Sequence, residues 1–199
     1  MSKNIAIIGA GGHGKVVGEI ASLNSYKTIN FFDDKANKIK GFPFTISGSF
    51  NDLIDNLNDY ESFFVAIGEN KVRFEMIESL KKYDLNIVNL LHPSSTVSKF
   101  SSLGVGTCIM ANAVINAGTI IKEGVIINTS SSVDHDCLIE DYAHISPNST
   151  LSGGVRVGKF THLGSGTSVH PGINIGKNVK IGVGSKIFKD ILDDTIFKN

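Results

Sequence analysis

The segment Asn128-Thr129-Ser130-Ser131-Ser132-Val133-Asp134-His135-Asp136-Cys137 sets one imidazole between two carboxylates. A histidine of ordinary pKa, about 6.5, can take a proton at neutral pH, and a carboxylate beside it fixes its tautomer and raises its basicity. That is general-base chemistry. The same residues also describe a surface histidine in a polar turn, and spacing alone leaves both readings open. A second constellation, Gly9-Ala10-Gly11-Gly12-His13-Gly14, follows an apolar run and opens an amphipathic one, the context a phosphate-binding turn requires. Asp33 and Asp34 end the next apolar run and extend the nucleotide reading, although the glycines could serve only close helix–strand packing. A third is the pair His144 and His162, 18 positions apart. Two stacked imidazoles can ligate a metal, but a third ligand would have to come from a neighbouring chain.

The positioning of these residues follows from a repeat. From Val97 to Ile187 every sixth residue is Val, Leu or Ile, and four positions after most of them stands a second small or branched residue such as Thr107, Ala113, Ser131 or Cys137. Neither a helix nor an alternating strand repeats at six, whereas a coil of short strands does. Three hexads make a coil of 18 residues, so the repeat predicts a parallel β-helix of about five coils, roughly 25 Å tall at about 4.8 Å per strand. Val133 then points inward and His135 lies at an outward turn. Ala117 and Gly153, one coil away on either side, leave room beside the ring. Cys137 takes a small inward position and reads as filler, and His170 beside Pro171 reads as an exposed turn residue.

Residues 1–92 follow another grammar. Strands are expected at Asn4–Ile8, Thr28–Phe32 and Ser62–Ile67, and helices at Lys15–Leu23, 51–58 and Asn70–Tyr83. The last helix is expected to bury Val72, Phe74, Ile77 and Leu80, and Asn86–Leu91 to close the sheet. Strands separated by such helices imply a small parallel sheet of βαβ units, enough for one nucleotide but too short for a complete dinucleotide fold. His92-Pro93-Ser94-Ser95 punctuates the chain, so the boundary is set between a domain of residues 1–92 and a coil of residues 93–199.

Composition removes several classes. Nineteen basic residues balance nineteen acidic ones in 199, which gives no cationic surface for nucleic acid or an anionic membrane. No apolar run approaches the ~20 residues of a membrane span, and the N-terminus MSKNIAIIG does not read as a signal peptide. Two cysteines, Cys108 and Cys137, define neither a disulfide framework nor a zinc site. A cytoplasmic location is expected.

The uninterrupted hexads, the βαβ domain opening GAGGHG and the segment NTSSSVDHDC together resemble the left-handed β-helix (hexapeptide-repeat) sugar acetyltransferases. The likeness is nearest to the bacillosamine-pathway UDP-4-amino-sugar N-acetyltransferases, with the sialic acid O-acetyltransferases as cousins. Left-handedness is implied by the resemblance alone, since the rule for parallel crossovers would give the right hand. The resemblance implies His135 as catalytic base and Asp136 as the carboxylate that polarises it. It implies substrate contacts from Gly11, Gly12, His13, Asp33, Asp34, Gly68 and Asn128, with His13 near the diphosphate and Asn128 near the reacting amine. For acetyl-CoA it implies His144, Gly153, Ser165 and Val183, with a backbone N–H near Gly153 for the oxyanion. No metal is expected. The family forms homotrimers with each active site in a groove between two chains. Its members commonly continue into a G-x-P-A-K segment where this sequence has Asp194-Thr195-Ile196-Phe197-Lys198-Asn199, so Lys177, Lys180 or Lys186 is expected to supply substitute charge. The activity expected is acetyl transfer from acetyl-CoA to the 4-amino group of a nucleotide-linked 4-amino-4,6-dideoxy sugar, UDP-linked, for surface glycan or glycoprotein synthesis. The rivals are O-acetylation of sialic acid or a related sugar, a metal hydratase like the γ-class carbonic anhydrases, and a non-catalytic trimeric scaffold.

Overall fold

The computed structural model describes residues 3–36 and 39–198. Met1, Ser2 and Asn199, at the ends of the two sequence-assigned domains, lie outside the described residues, as do Asn37 and Lys38. Contacts divide the chain into two compact units, Met1–Pro93 and Ser94–Asn199.

The first unit is a parallel sheet with helices in its connections. Strand β1 (Lys3–Ile8) leads through Gly9–Gly11 into helix α1 (Gly12–Leu23), followed by β2 (Tyr26–Phe32), β3 (Thr45–Gly48), α2 (Phe50–Asp55), β4 (Ser62–Val65) and α3 (Asn70–Lys81). The strand order is β3-β2-β1-β4, all parallel. Strands of a parallel sheet are covered on both faces, and accordingly Ile5, Ala6 and Ile7 of inner β1 are buried, as are Phe63, Phe64 and Val65 of β4. Three expectations need correction. Helix α1 starts at Gly12 rather than Lys15, because the glycine turn itself supplies its first turn. Strand β3 was not foreseen: its four residues are half exposed at a sheet edge and carry little hydrophobic signal. The 86–91 segment adds only a bridge from Ile87 to Phe63 to this sheet.

Helix α3 is also rotated from its expected phase. Asn70, Arg73, Ile77 and Leu80 face inward, Phe74 is half-buried, and Val72 stands 40% exposed. A helix whose inward residues step by three, four and three accepts Arg73 on that stripe because the guanidinium finds carbonyls there, as described below.

The second unit is a parallel β-helix. Two-residue strands recur every six residues and stack into three parallel sheets in which each residue pairs with the one 18 further on, Val133 with Leu151 and Ile127 with Ile145 for example. The inward hexad residues from Ile109 to Ile187 are buried, while Val97 and Leu103 on the first coil are half-buried. The second small position is buried too, and its hydroxyls bond to backbone carbonyls: Thr119 Oγ1 donates to Asp134 O at 2.6 Å and Ser131 Oγ to Ser146 O at 2.8 Å. Each turn from Gly106 to Gly184 places its second residue at positive φ. Glycine, Asn and Asp fill most of these places, the types that adopt the left-handed region at least cost. The last coil is two residues short: Lys180 pairs with Ile196, and Ile175 bridges Ile191.

Candidate active site

His135 occupies the first turn position after the strand Ser132–Val133, and Asp136 the second, at φ 58°. The left-handed conformation of Asp136 turns its carboxylate back on the preceding ring, and Asp136 Oδ2 lies 2.8 Å from His135 Nδ1. Asp134 accepts from His135 N–H at 2.8 Å and from Asn116 Nδ2 at 2.8 Å. These bonds hold Asp134 below the usual carboxylate range, the Asn116 bond contributing most. His135 is pushed above 6.5, first by its bond to Asp136 and then by the charge of Asp134. With Nδ1 committed to the carboxylate, Nε2 is the atom left to accept a proton. It lies over Gly153: a Cβ there would stand 2.6 Å from Nε2 and 2.5 Å from Cε1. Glycine is required at this point by the close approach of the ring. Ser152 and Gly154 spend their N–H groups on the carbonyls of Val169 and His135, while Gly153 N–H bonds to nothing among the described residues.

Asn128 and His144 form a second cluster, one corner of the coil away. Thr129 N–H donates to Asn128 Oδ1 at 2.8 Å, which turns the amide nitrogen toward the histidine, and Asn128 Nδ2 donates to His144 Nε2 at 3.0 Å. An amide nitrogen can only donate, so His144 Nε2 is the accepting atom of this contact. His144 stacks on His162 at 4.6 Å between centroids, with 11° between planes, and Ser146 Oγ lies 2.9 Å from His162 Nε2. Both Nε2 atoms of the stacked pair thus face polar side chains of the chain itself, and among the described residues no group of three His, Cys, Asp or Glu is placed to hold a metal ion. Ser165 and Val183 lie at one corner on successive coils, where Gly184 N–H donates to Ser165 O, and Val183 is 71% exposed. Within one chain the structure therefore joins His135, Asp136 and Gly153, and joins Asn128 with His144, but it does not bring the two groups to the same corner. Cys137 is buried with its thiol pushed up by burial and 3.3 Å from Ser152 O, as filler should be. Lys177 meets Asp193 at 3.4 Å, Lys180 follows His162 in its column, and Lys186 follows Ser168.

In the first unit, Gly11, Gly12, His13, Asp33, Asp34 and Gly68 line one cavity of about 460 Å³. The glycines divide by role. A Cβ on Gly14 would come 2.2 Å from Gly9 O, and one on Gly9, at φ 104°, would come 2.8 Å from Ala66 O, so these two serve packing. Gly11, Gly12 and Gly68 meet nothing within 4 Å and face open space. The N-terminus of α1 has no side-chain cap, leaving its backbone donors to the cavity. Asp33 accepts from Ala10 N–H at 2.9 Å and from Lys35 N–H at 2.8 Å, and Asp34 from Phe50 N–H at 3.0 Å. Both acids therefore also brace the cavity walls. His13 is held down to about 4, first by burial and then by the charge of Arg73, so it is neutral at physiological pH. Its Nε2 is buried without a partner among the described residues. Sequence reasoning missed Arg73, which is 1% exposed and donates from Nη1 to the carbonyls of Ile67 at 2.9 Å and Gly68 at 3.1 Å. Its only signal was a charge at a helical position five residues after Gly68.

The family model of the PglD N-terminal domain matches residues 4–80. The acetyltransferase domain of PglB from Neisseria gonorrhoeae FA1090, solved in complex with acetyl coenzyme A, superposes with a TM-score of 0.93 at 38% identity, covering 100% of this chain and 98% of that one. This protein belongs to the hexapeptide-repeat sugar acetyltransferases. The coil is accordingly a left-handed parallel β-helix, the fold of these acetyltransferase structures. PerB from Caulobacter crescentus, in complex with CoA and GDP-perosamine, gives a TM-score of 0.89 at 35% identity and covers 96% of this chain and 91% of that one. The UDP-N-acetylbacillosamine N-acetyltransferase of Bacillus subtilis (strain 168) is 40% identical over 113 residues, 55% of this chain, and the chain spans about half of that relative, 52%. The B. subtilis relative is by name an N-acetyltransferase, an enzyme that acylates an amino group.

Proposed function

We propose that the protein transfers acetyl from acetyl-CoA to the 4-amino group of a nucleotide-linked 4-amino-4,6-dideoxy sugar, with a UDP-linked sugar as the first choice. The observation that carries the reading is the His135–Asp136 pair with its Nε2 laid over Gly153. In the reaction the amine attacks the thioester carbonyl, and His135 Nε2 takes the proton the amine loses. The tetrahedral oxyanion accepts a hydrogen bond from Gly153 N–H. Collapse breaks the carbon–sulfur bond, and the imidazolium returns its proton to the departing CoA thiolate. Asp136 supports the imidazolium while it exists, through the bond to Nδ1. Support for both substrates comes from the acetyl-CoA bound by the PglB domain and the GDP-perosamine bound by PerB.

The nucleotide belongs in the 460 Å³ cavity of the first unit, with its diphosphate on the open donors of α1 beside Gly11 and Gly12. Acetyl-CoA belongs on the coil, along His144, Ser165 and Val183. Because His144 and His135 lie at different corners of one chain, the working groove is completed by a neighbouring copy, and the protein acts as a homotrimer. Both substrates are metabolites of the cytoplasm, where we place the enzyme; no helix among the described residues is long and apolar enough to cross a membrane. A panel of UDP-, dTDP- and GDP-linked 4-amino sugars, each assayed with acetyl-CoA for release of free CoA thiol, tests the reading. Turnover of a UDP-4-amino sugar is expected. Turnover only of a hydroxyl acceptor such as sialic acid would replace N-transfer by O-transfer.

A further inference from the structure

The wall of the nucleotide cavity opposite the glycine turn is made by Ala66, Ile67 and Gly68. Ala66 N–H still bonds to Ile8 O at 2.7 Å, but Ile67 and Gly68 lie past the end of that ladder. Their carbonyls are collected by one side chain. Arg73 Nη1 donates to both Ile67 O and Gly68 O, and Nη2 donates to Asn70 Oδ1 at 2.9 Å. The planar fork can serve two successive carbonyls and a third acceptor at once, which an ammonium on a flexible stem cannot do in one geometry. The guanidinium is 1% exposed, and a charge taken so far from water is costly. Leu or Met would hold the α3 face without that cost, so packing alone does not account for an arginine here.

We propose that Arg73 is the positioning residue of the nucleotide-sugar cavity, fixing the Ile67–Gly68 wall at the height of the bound diphosphate and setting a buried positive charge behind His13. The inference rests on the reading of this cavity as the nucleotide site. It joins three observations. Gly68 has open space toward the cavity, so its position there is set by what holds its carbonyl. His13, across the same cavity, is kept neutral in part by the Arg73 charge and so offers a diphosphate a neutral N–H donor. A diphosphate is the ligand class that gains from a buried cation it does not touch, because screening is weak there.

Arg73→Lys and Arg73→Met test the inference, with steady-state kinetics for both substrates and an NMR titration of the His13 ring. Arg73→Lys keeps the charge and loses the fork. Its KM for the nucleotide sugar should rise about tenfold, the worth of one charge-assisted hydrogen bond, with the KM for acetyl-CoA within about twofold and His13 still titrating near 4. Arg73→Met should in addition raise the His13 titration, which loss of packing alone would not do. If Arg73→Met does not fold, the lysine variant decides. An unchanged KM for the nucleotide sugar in Arg73→Lys, or an equal rise for both substrates, overturns the inference. Gly11→Val separates it from the cavity reading: if that variant binds UDP like wild type, the cavity reading falls and the inference with it. If Gly11→Val loses UDP while Arg73→Lys binds it normally, the Arg73 inference falls alone.

Discussion

In the proposed reaction His135 has to be neutral when the amine arrives. Asp136 and Asp134 raise its pKa above 6.5, so turnover should fall as pH drops through that raised value. Asp136 supplies the largest part of the rise. Asp136→Asn should therefore move the acidic limb of kcat/KM to lower pH while reducing kcat, and an unmoved limb would assign that limb to another group. His135→Ala should lower kcat about 10²- to 10⁴-fold with the fold retained, the usual worth of a general base, as read by CoA release and circular dichroism. Gly153→Ala is the companion test. Its methyl would overlap the ring at 2.5 Å and must displace it, so kcat should fall about 10²-fold, the scale of a small misplacement of a reacting group. A Gly153→Ala variant with wild-type turnover would show that His135 works from another rotamer.

At the scale of elements, the turn between β1 and α1 holds crowded glycines and open ones within one motif. Gly14→Ala drives a methyl to 2.2 Å from Gly9 O, so the melting temperature should drop by the equivalent of about 1–3 kcal/mol of overpacking. Gly11→Val has open space and an extended backbone at φ −84°, so its melting temperature should stay near wild type while the KM for the nucleotide sugar rises. Two equally unstable variants would make the whole turn structural. The coil shows the same economy. Its turns place Gly, Asn and Asp at positive φ, and at one of them Asp136 uses that backbone to aim a carboxylate at the ring before it.

For the whole molecule, the two corners of the coil set the demand for partners. In the proposed homotrimer, the base at the turn after Val133 and the cofactor contact on the strand His144–Ile145 come from different chains, and threefold symmetry repeats that groove three times. The mass in solution should be about 64 kDa, three times the 21.3 kDa chain, by light scattering. Mixed trimers of His135→Ala and His144→Ala chains should recover activity that neither parent has, since some grooves then draw each intact residue from a different chain. A fully active monomer would end this picture.

The sequence by itself determined the coil, because a period of six over some ninety residues has one physical solution, in which each apolar residue faces the same interior as the one 18 positions on. It also placed His135 outward and Gly153 beside it, since that follows from the period alone. The grouping of the glycine turn with its two acids around one cavity was legible because a strand that turns at once into a helix leaves its glycines beside the end of the next strand. Three things were decided only in three dimensions. The inward face of α3 went to Arg73 because the carbonyls of Ile67 and Gly68, six and five residues back, are folded over the start of the helix, and no hydrophobic pattern encodes that fold. Strand β3 formed because β2 offers it an edge, not because four half-exposed residues prefer to be extended. The hydrogen-bond partner of His144 Nε2 is Asn128, which lies 16 residues back along the chain and is brought to it by the coil. In each case the deciding partner is brought in by tertiary packing, and hydrogen-bond geometry, unlike hydrophobic period, leaves no trace in the spacing of residues.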